Sequence, residues 1–270
     1  MLTMFRCFVA VVVVVALLQS VYAQDPTKIK YVHVVFSNHF DAGYNAHVSP
    51  QKGLAIDVIN SYFDDHFPQA VTIAKEMRAT TKHRYVWMTQ AWLVSLYVNC
   101  PTNGSFPGEL HCPTEEQRDA FISTIKQGDI TYHAFPFNGE LSVLSPEMLK
   151  FGVKLVHDLD DMFGIPRSTV ISQRDVPGVT AGSIDILKTV GVDAVSVGCN
   201  GAAAPPVVPK VFMWNPPSAE QEIIAMWHPG GYGGITLKDC VYFDGFDHAL
   251  ALSWRGDNSG PAINTKEVLD

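Results

Sequence analysis

The chain opens on an unbroken apolar run, Phe8 to Leu18, and then changes to short apolar segments separated by polar, glycine and proline positions. Ile29 to Phe36 (IKYVHVVF) is dense in β-branched and aromatic residues, which pack well on a pleated surface, and reads as a buried strand. Gly53 to Met77 carries apolar residues at helical spacing, with a break predicted near Pro68. Tyr85 to Met88 reads as a strand and Ala91 to Val98 as a helix. Thr114 and Gln117 have capping-box spacing, so a helix should start after Thr114, run to about Gln127 and stop at Gly128. Ile130 to Phe135 is a third strand. Ser145-Pro146-Glu147 opens a helix that ends near Phe163, before Gly164. Thr169 to Ser172 is a strand, Gly182 to Val190 a helix, and Val192 to Val197 a strand. After Gly198 the chain is rich in glycine and proline, with further strands at Glu222 to Trp227 and Leu250 to Trp254. Strand and helix alternate at βαβ intervals, which predicts an α/β fold with a mostly parallel sheet, either a barrel or doubly wound.

The apolar run at the start has the three parts of a secretory signal peptide. Arg6 supplies a positive flank, Val11 to Val15 the apolar centre, and Val21-Tyr22-Ala23 a small residue before Gln24. It falls short of the ~20 apolar residues that span a bilayer. Residues 1–23 are therefore read as a signal, and 24–270 as one domain with no membrane segment after cleavage. The expected location is secreted, or the lumen of the secretory pathway. At the other end, Asn264-Thr265-Lys266-Glu267 starts a helix, yet three residues follow Glu267, too few for a stable helix. The expectation is an N-terminal part of a longer protein, with C-terminal helical and β-sandwich regions missing.

Charge and cysteines narrow the partners. The formal charge is −8, and more negative once Arg6 leaves. An acidic surface argues against nucleic acid and anionic lipid, and leaves neutral sugars, small molecules and metal cations. Oligomeric state is not legible. Of the five cysteines, Cys7 leaves with the signal, and Cys100, Cys112, Cys199 and Cys240 form an even set suited to an oxidising compartment. Three pairings are possible; Cys100–Cys112 with Cys199–Cys240 is favoured because near neighbours close the smaller loops. The first loop holds Asn103-Gly104-Ser105, an N-glycosylation acceptor that requires a surface position.

In parallel α/β folds, sites form at the carboxyl ends of strands. The first strand leads into His39-Phe40-Asp41-Ala42-Gly43-Tyr44. In extended backbone, His39 and Asp41 point the same way, and an imidazole beside a carboxylate suits a divalent metal such as zinc. The alternative is a polar loop in which Asp41 bonds backbone amides. Asp175, just past the fourth strand and before the turn residues Pro177-Gly178, could complete a metal site or attack a substrate, or simply pair with Arg174. Phe135, at the end of the third strand, and Phe137, Asn138 and Glu140 after it put aromatic faces beside polar edges, which suits a sugar; a hydrophobic cover for the sheet is the competing reading for the two phenylalanines. Asp257 is a candidate acid/base or a turn residue. His228, in a glycine-rich loop without a phosphate-binding pattern, is either near the site or on the surface.

These residues, in this order, resemble the N-terminal domain of glycoside hydrolase family 38, the α-mannosidases. His39 to Tyr44 is similar to that family's H-N-D-P-G-W, and Asp175-Val176-Pro177-Gly178 to its D-P-F-G. The set H-x-D-x-G-Y, H-A-F-P-F and D-V-P-G also resembles the uncharacterised domain-of-unknown-function family 5054. The likeness spreads over about Tyr31 to Pro261. It implies a seven-stranded β/α barrel of the glycoside hydrolase/deacetylase type and a Zn2+ ion held by His39, Asp41 and Asp175. Asp175 would also be the nucleophile of a retaining hydrolysis; because Asn258 stands at the family's acid position, either the neighbouring Asp257 serves as acid/base or catalysis is lost, and Tyr44, Phe135, Phe137, Asn138 and Glu140 remain the candidate carbohydrate contacts. Three features depart from the pattern: no match to the family's fourth ligand, a histidine; Phe40 between the ligands, with the Pro-Phe order changed at Val176-Pro177; and Asn258 where the family's G-D-D places its acid. These keep open a non-catalytic carbohydrate-binding protein and, more distantly, a metal-dependent polysaccharide deacetylase, whose H-x-x-x-H pair is absent.

Overall fold

The computed structural model describes residues 26–41, 54–102, 109–176, 178–203, 206–228, 231–243 and 245–269. The signal segment, Tyr44 and the Asn103 acceptor lie outside the described residues. The elements in chain order are β1 (Tyr31–His39), α1 (Leu54–Ser61), α2 (Phe67–Thr80), β2 (Trp87–Thr89), α3 (Ala91–Val98), α4 (Glu115–Lys126), β3 (Ile130–Tyr132), α5 (Pro146–Phe163), β4 (Val170–Asp175), α6 (Ala181–Thr189), β5 (Ala194–Cys199), β6 (Val211–Trp214), β7 (Ile223–Trp227), β8 (Val241–Tyr242), β9 (His248–Asp257) and α7 (Thr265–Leu269). Among the described residues, no helix is long and apolar enough to cross a membrane.

Local chemistry sets the helix ends. Thr114 and Gln117 form the expected reciprocal capping box. Ser145 caps α5, Pro146 occupies its first turn, and Gly164 ends it at φ 66°, a left-handed conformation that favours glycine. The break near Pro68 is a π-helical turn, Tyr62–His66, directly before α2. Proline has no N–H to continue the ladder, so the backbone reorganises in front of it.

Two sheets form. The first has order β3-β2-β1-β9-β8 and the second β4-β5-β7-β6. The strands β3, β2, β1 and β9 are parallel neighbours, as are β4, β5 and β7. The short strands β8 and β6 add antiparallel edges. The expected seven-stranded barrel is thus met only in part. Among the described residues, seven strands have parallel partners, but no continuous ladder closes them into a barrel. β2 and β3 are three residues each, too short to carry a long ladder. One backbone bond, Ala134 N to Val170 O at 2.8 Å, links the end of the first sheet to β4.

The helices bury apolar faces on these sheets. Phe67, Tyr97 and Phe121 meet ring to ring under the first sheet, with centroids 4.5–4.9 Å apart. Leu149 and Val153 of α5 and Ile184 and Leu187 of α6 join Ile171, Val195 and Ile223 in a second cluster. β1 lies beside β9 from Tyr31↔His248 to His39↔Asp257, so residues far apart in sequence share one edge of the sheet.

One cysteine expectation holds and one is corrected. Cys100 and Cys112 are bonded. Cys199 and Cys240 are separate buried thiols. Their closeness in sequence misleads, because Cys199 ends β5 in the second sheet while Cys240 precedes β8 in the first.

Candidate active site

His39 is the last residue of β1, with a side chain 5 % exposed. Its Nε2 lies 3.1 Å from Asp41 Oδ1 and 3.6 Å from Asp175 Oδ2. Its Nδ1 lies 2.9 Å from the side-chain amide of Asn138, which follows β3. Residues from the ends of β1, β3 and β4 therefore meet around one imidazole.

Asp41 is held by the far end of the chain. Its backbone N–H donates to Asn258 Oδ1 at 2.8 Å, and Asn258 Nδ2 donates back to Asp41 Oδ2 at 2.9 Å. Asn258 N also donates to His39 O at 2.7 Å. Asn258 sits at φ 53°, a left-handed conformation that asparagine tolerates better than most residues. The π turn supports this corner from behind: His66 donates to the Asn258 backbone carbonyl, and Tyr62 shares a hydrogen bond with Asn38 of β1. A Cβ on Gly260 would collide with the His66 ring, so the backbone approach there requires glycine.

Asp175 ends β4 at φ 74°, inside a three-residue turn closed by Val176 N to Arg174 O at 3.0 Å. Its carboxylate accepts a hydrogen bond from the Tyr232 hydroxyl. Burial and that carboxylate push the Tyr232 phenol well above its ordinary range, so it stays a donor. The Tyr232 ring lies flat on Trp254 of β9, with centroids 4.5 Å apart and planes 5° apart. Asp257, across from His39 in the β1–β9 register, has its carboxyl held above the ordinary range. Desolvation is the main cause; Asp41 and Asp175 add to it, and His39 pulls the other way.

The remaining candidates separate into contact and support. Glu140 packs on the Gly178 turn that follows Asp175 and accepts from Ser142. Phe137 is partly exposed, edge-on to Phe135. Phe135 is a correction: its ring is buried against Gly152 of α5, where a Cβ would clash, so it fills the core and offers no face to a ligand. His228 is also corrected. It is buried, bonded through Nε2 to Ser196 Oγ at 3.0 Å, and held neutral by desolvation and by Arg174, with its pKa pushed down to about 2. Arg174 points into the same interior, with no carboxylate partner among the described residues, and burial pushes it down to about 9. Its Nη1 and Nη2 instead donate to Gln173 O, Ser196 O and Ser196 Oγ.

Asn258, Tyr232 and His66 were missed as site residues. Asn258 looked like a lost acid, and Tyr232 lay in a loop notable only for its glycines. The signal for His66 was Pro68 two residues later, which marks an interrupted helix. Among the described residues, no three His, Cys, Asp or Glu side chains form a preformed metal cage.

No family model matches the sequence, and no curated protein sequence matches it. The fold does have likenesses among solved structures. The chain is similar to an alpha-mannosidase from Enterococcus faecalis V583, with TM-score 0.57 and 13% identity, over 88% of this chain and 26% of that one. It is also similar to a protein in glycosyl hydrolase family 38 from Enterococcus faecalis, with TM-score 0.51 and 11% identity, over 86% of this chain and 24% of that one. The class defined by these likenesses is an α/β fold of the kind those proteins contain. The chain spans about a quarter of the length of each. The likeness to family 5054 rests on the sequence motifs alone.

Proposed function

We propose that this chain is the barrel domain of a secreted, zinc-dependent retaining glycoside hydrolase of α-mannosidase type. One observation carries the reading: His39, Asp41 and Asp175 converge at the carboxyl ends of strands, where parallel α/β folds place their chemistry. Seven strands with parallel partners, and β9 beside β1, support a barrel interrupted at its seams. The apolar leader and the Cys100–Cys112 bond support an exported protein.

The donor types suit zinc, although among the described residues the three side chains do not stand as a preformed cage. One imidazole and two carboxylates are the ligand types of catalytic zinc sites, which keep a position open. Donors around a tetrahedral zinc stand about 3.3 Å apart, given bonds of about 2.0–2.1 Å; the separations from His39 Nε2 are 3.1 and 3.6 Å. Asn138 adds a second test. Its Oδ1 is buried without a hydrogen-bond partner among the described residues, and turning the amide over would let it accept from His39 Nδ1–H, leaving Nε2 free as a ligand. The ion, when bound, would polarise sugar hydroxyls.

The chain's own residues would do the rest. Tyr232 orients the Asp175 carboxylate, which attacks the anomeric carbon as the leaving oxygen departs. Asp257, whose buried, acidic surroundings favour its protonated form, would give a proton to that oxygen and then take one from water. Phe137 and the Tyr232–Trp254 pair offer aromatic surface for a sugar face. The test is hydrolysis of aryl α-mannosides by the zinc-loaded protein. The expected result is retention of configuration, abolished in Asp175→Asn with an unchanged melting temperature. A second reading, a non-catalytic carbohydrate-binding protein, is favoured by Asn258, which clamps Asp41 and donates no proton to substrate. Saturable sugar binding without turnover would select it; neither binding nor turnover refutes both.

A further inference from the structure

At the amino ends of the same two strands, away from the site above, His33 of β1 and His248 of β9 meet on the exposed surface. His33 Nε2 is 2.7 Å from His248 Nδ1, with ring centroids 5.0 Å apart and ring planes within 8°. A nitrogen lies about 1.15 Å from an imidazole centroid, so these figures require two nearly coplanar rings aimed nitrogen to nitrogen. Tyr31 packs on the face of His248 at 4.8 Å and sets its plane. On the opposite edge, His248 Nε2 lies 3.5 Å from Asp247 Oδ1. Lys30 reaches the other Asp247 oxygen at 3.4 Å, an exposed pair that leaves Oδ1 to the imidazole.

We propose that His33 and His248 form a second cation site, for a borderline transition-metal dication such as Zn2+ or Cu2+. A carboxylate behind an imidazole fixes the proton on the far nitrogen, as it does behind metal-bound histidines. Asp247, 3.5 Å from Nε2, favours the proton there and a lone pair on His248 Nδ1 facing His33. The proton now shared between the rings moves to the solvent-exposed Nδ1 of His33, and the cation takes its place. Cis imidazole nitrogens on a zinc ion stand about 3.3 Å apart, so the nitrogens separate by about 0.6 Å and each ring swings by roughly 35° in its own plane to turn its lone pair onto the ion, a movement open to exposed side chains. Water completes the shell. His33 lies six residues before His39 along β1, about 20 Å of strand, so the two cation sites are distinct. A bound ion here bridges β1 to β9, the pairing that brings the two ends of the fold together.

The test is calorimetric titration of the whole protein with zinc chloride and with copper chloride at pH 7.5. Two equivalents are expected in the parent. His33→Ala and His248→Ala should each lose one equivalent, or weaken it at least tenfold, and His39→Ala should keep that equivalent. If both surface variants titrate like the parent, the proposal is overturned, whatever His39→Ala does. If His39→Ala alone keeps full stoichiometry, the surface site stands and the zinc reading of the strand-end site fails.

Discussion

Acidifying this protein from pH 7 to pH 5 should remove stability through two histidines that cannot take up a proton where they lie. His133 accepts a hydrogen bond at Nδ1 from Phe135 N–H at 3.3 Å and meets Gln90 Oε1 through Nε2 at 3.1 Å, so one neutral tautomer satisfies both neighbours. It is 3% exposed, and burial, aided by Arg174, pushes its pKa down to about 3. His228, equally buried, sits at about 2. Unfolded, both return to about 6.5. Below that value the unfolded chain binds protons that the folded chain refuses, so the stability they contribute is present above pH 6.5 and is lost as the pH falls. The linkage relation gives a loss of about 2 kcal/mol per histidine between pH 7 and pH 5. Urea denaturation at the two pH values measures it. The parent should lose about 4 kcal/mol from these two groups, and His133→Asn, which keeps an acceptor for Phe135 N–H, about half of that. His66, also held below its ordinary range by desolvation, works in the same direction in both proteins and cancels in the comparison. An identical pH 7 to pH 5 difference in parent and variant would refute the reasoning.

Other predictions follow from the site. Asn258→Asp should fail to restore an acid: it loses the amide bond to Asp41 and sets two carboxylates face to face, costing about 2 kcal/mol. Thermal melts should read this as a drop of about 4–8 °C, with weaker zinc binding. Tyr232→Phe, which removes the donor on Asp175, should lower kcat by about 10- to 100-fold with little change in KM. Asp257→Asn should be more stable than the parent at pH 7 in thermal melts. The raised Asp257 pKa means its stabilising effect is complete at low pH and is lost as pH rises, so the two proteins should converge near pH 3. Thiol labelling should find Cys199 and Cys240 reactive only after unfolding, and Cys100 and Cys112 only after reduction.

Helices were the most legible part of the fold because their end signals are local. Ala91 to Val98 forms as expected, and Thr114, Ser145 and Gly164 act within a few residues of themselves. Strands were less legible. β6 and β8 are four and two residues long and lie in a stretch whose prolines and glycines mask them. Closure of the sheet depends on pairing between segments far apart in the chain, which periodicity does not register. The same division runs through the site. His39, Asp41 and Asp175 were visible because each stands at a strand end. The role of Asn258 was hidden, because its partner Asp41 is 217 positions away. Cys199 and Cys240 show the converse error, in which nearness along the chain was taken for nearness in space.

The central claim is that Asp175 is a nucleophile at a zinc-dependent sugar site. The direct measurement is mass spectrometry of the zinc-loaded protein after incubation with a slow fluorinated glycosyl fluoride, which accumulates the covalent intermediate of a retaining enzyme. The account predicts one glycosyl adduct per chain, on the peptide carrying Asp175, and none without zinc or in His39→Ala. An adduct on any other residue, or no adduct with zinc bound stoichiometrically, would contradict it.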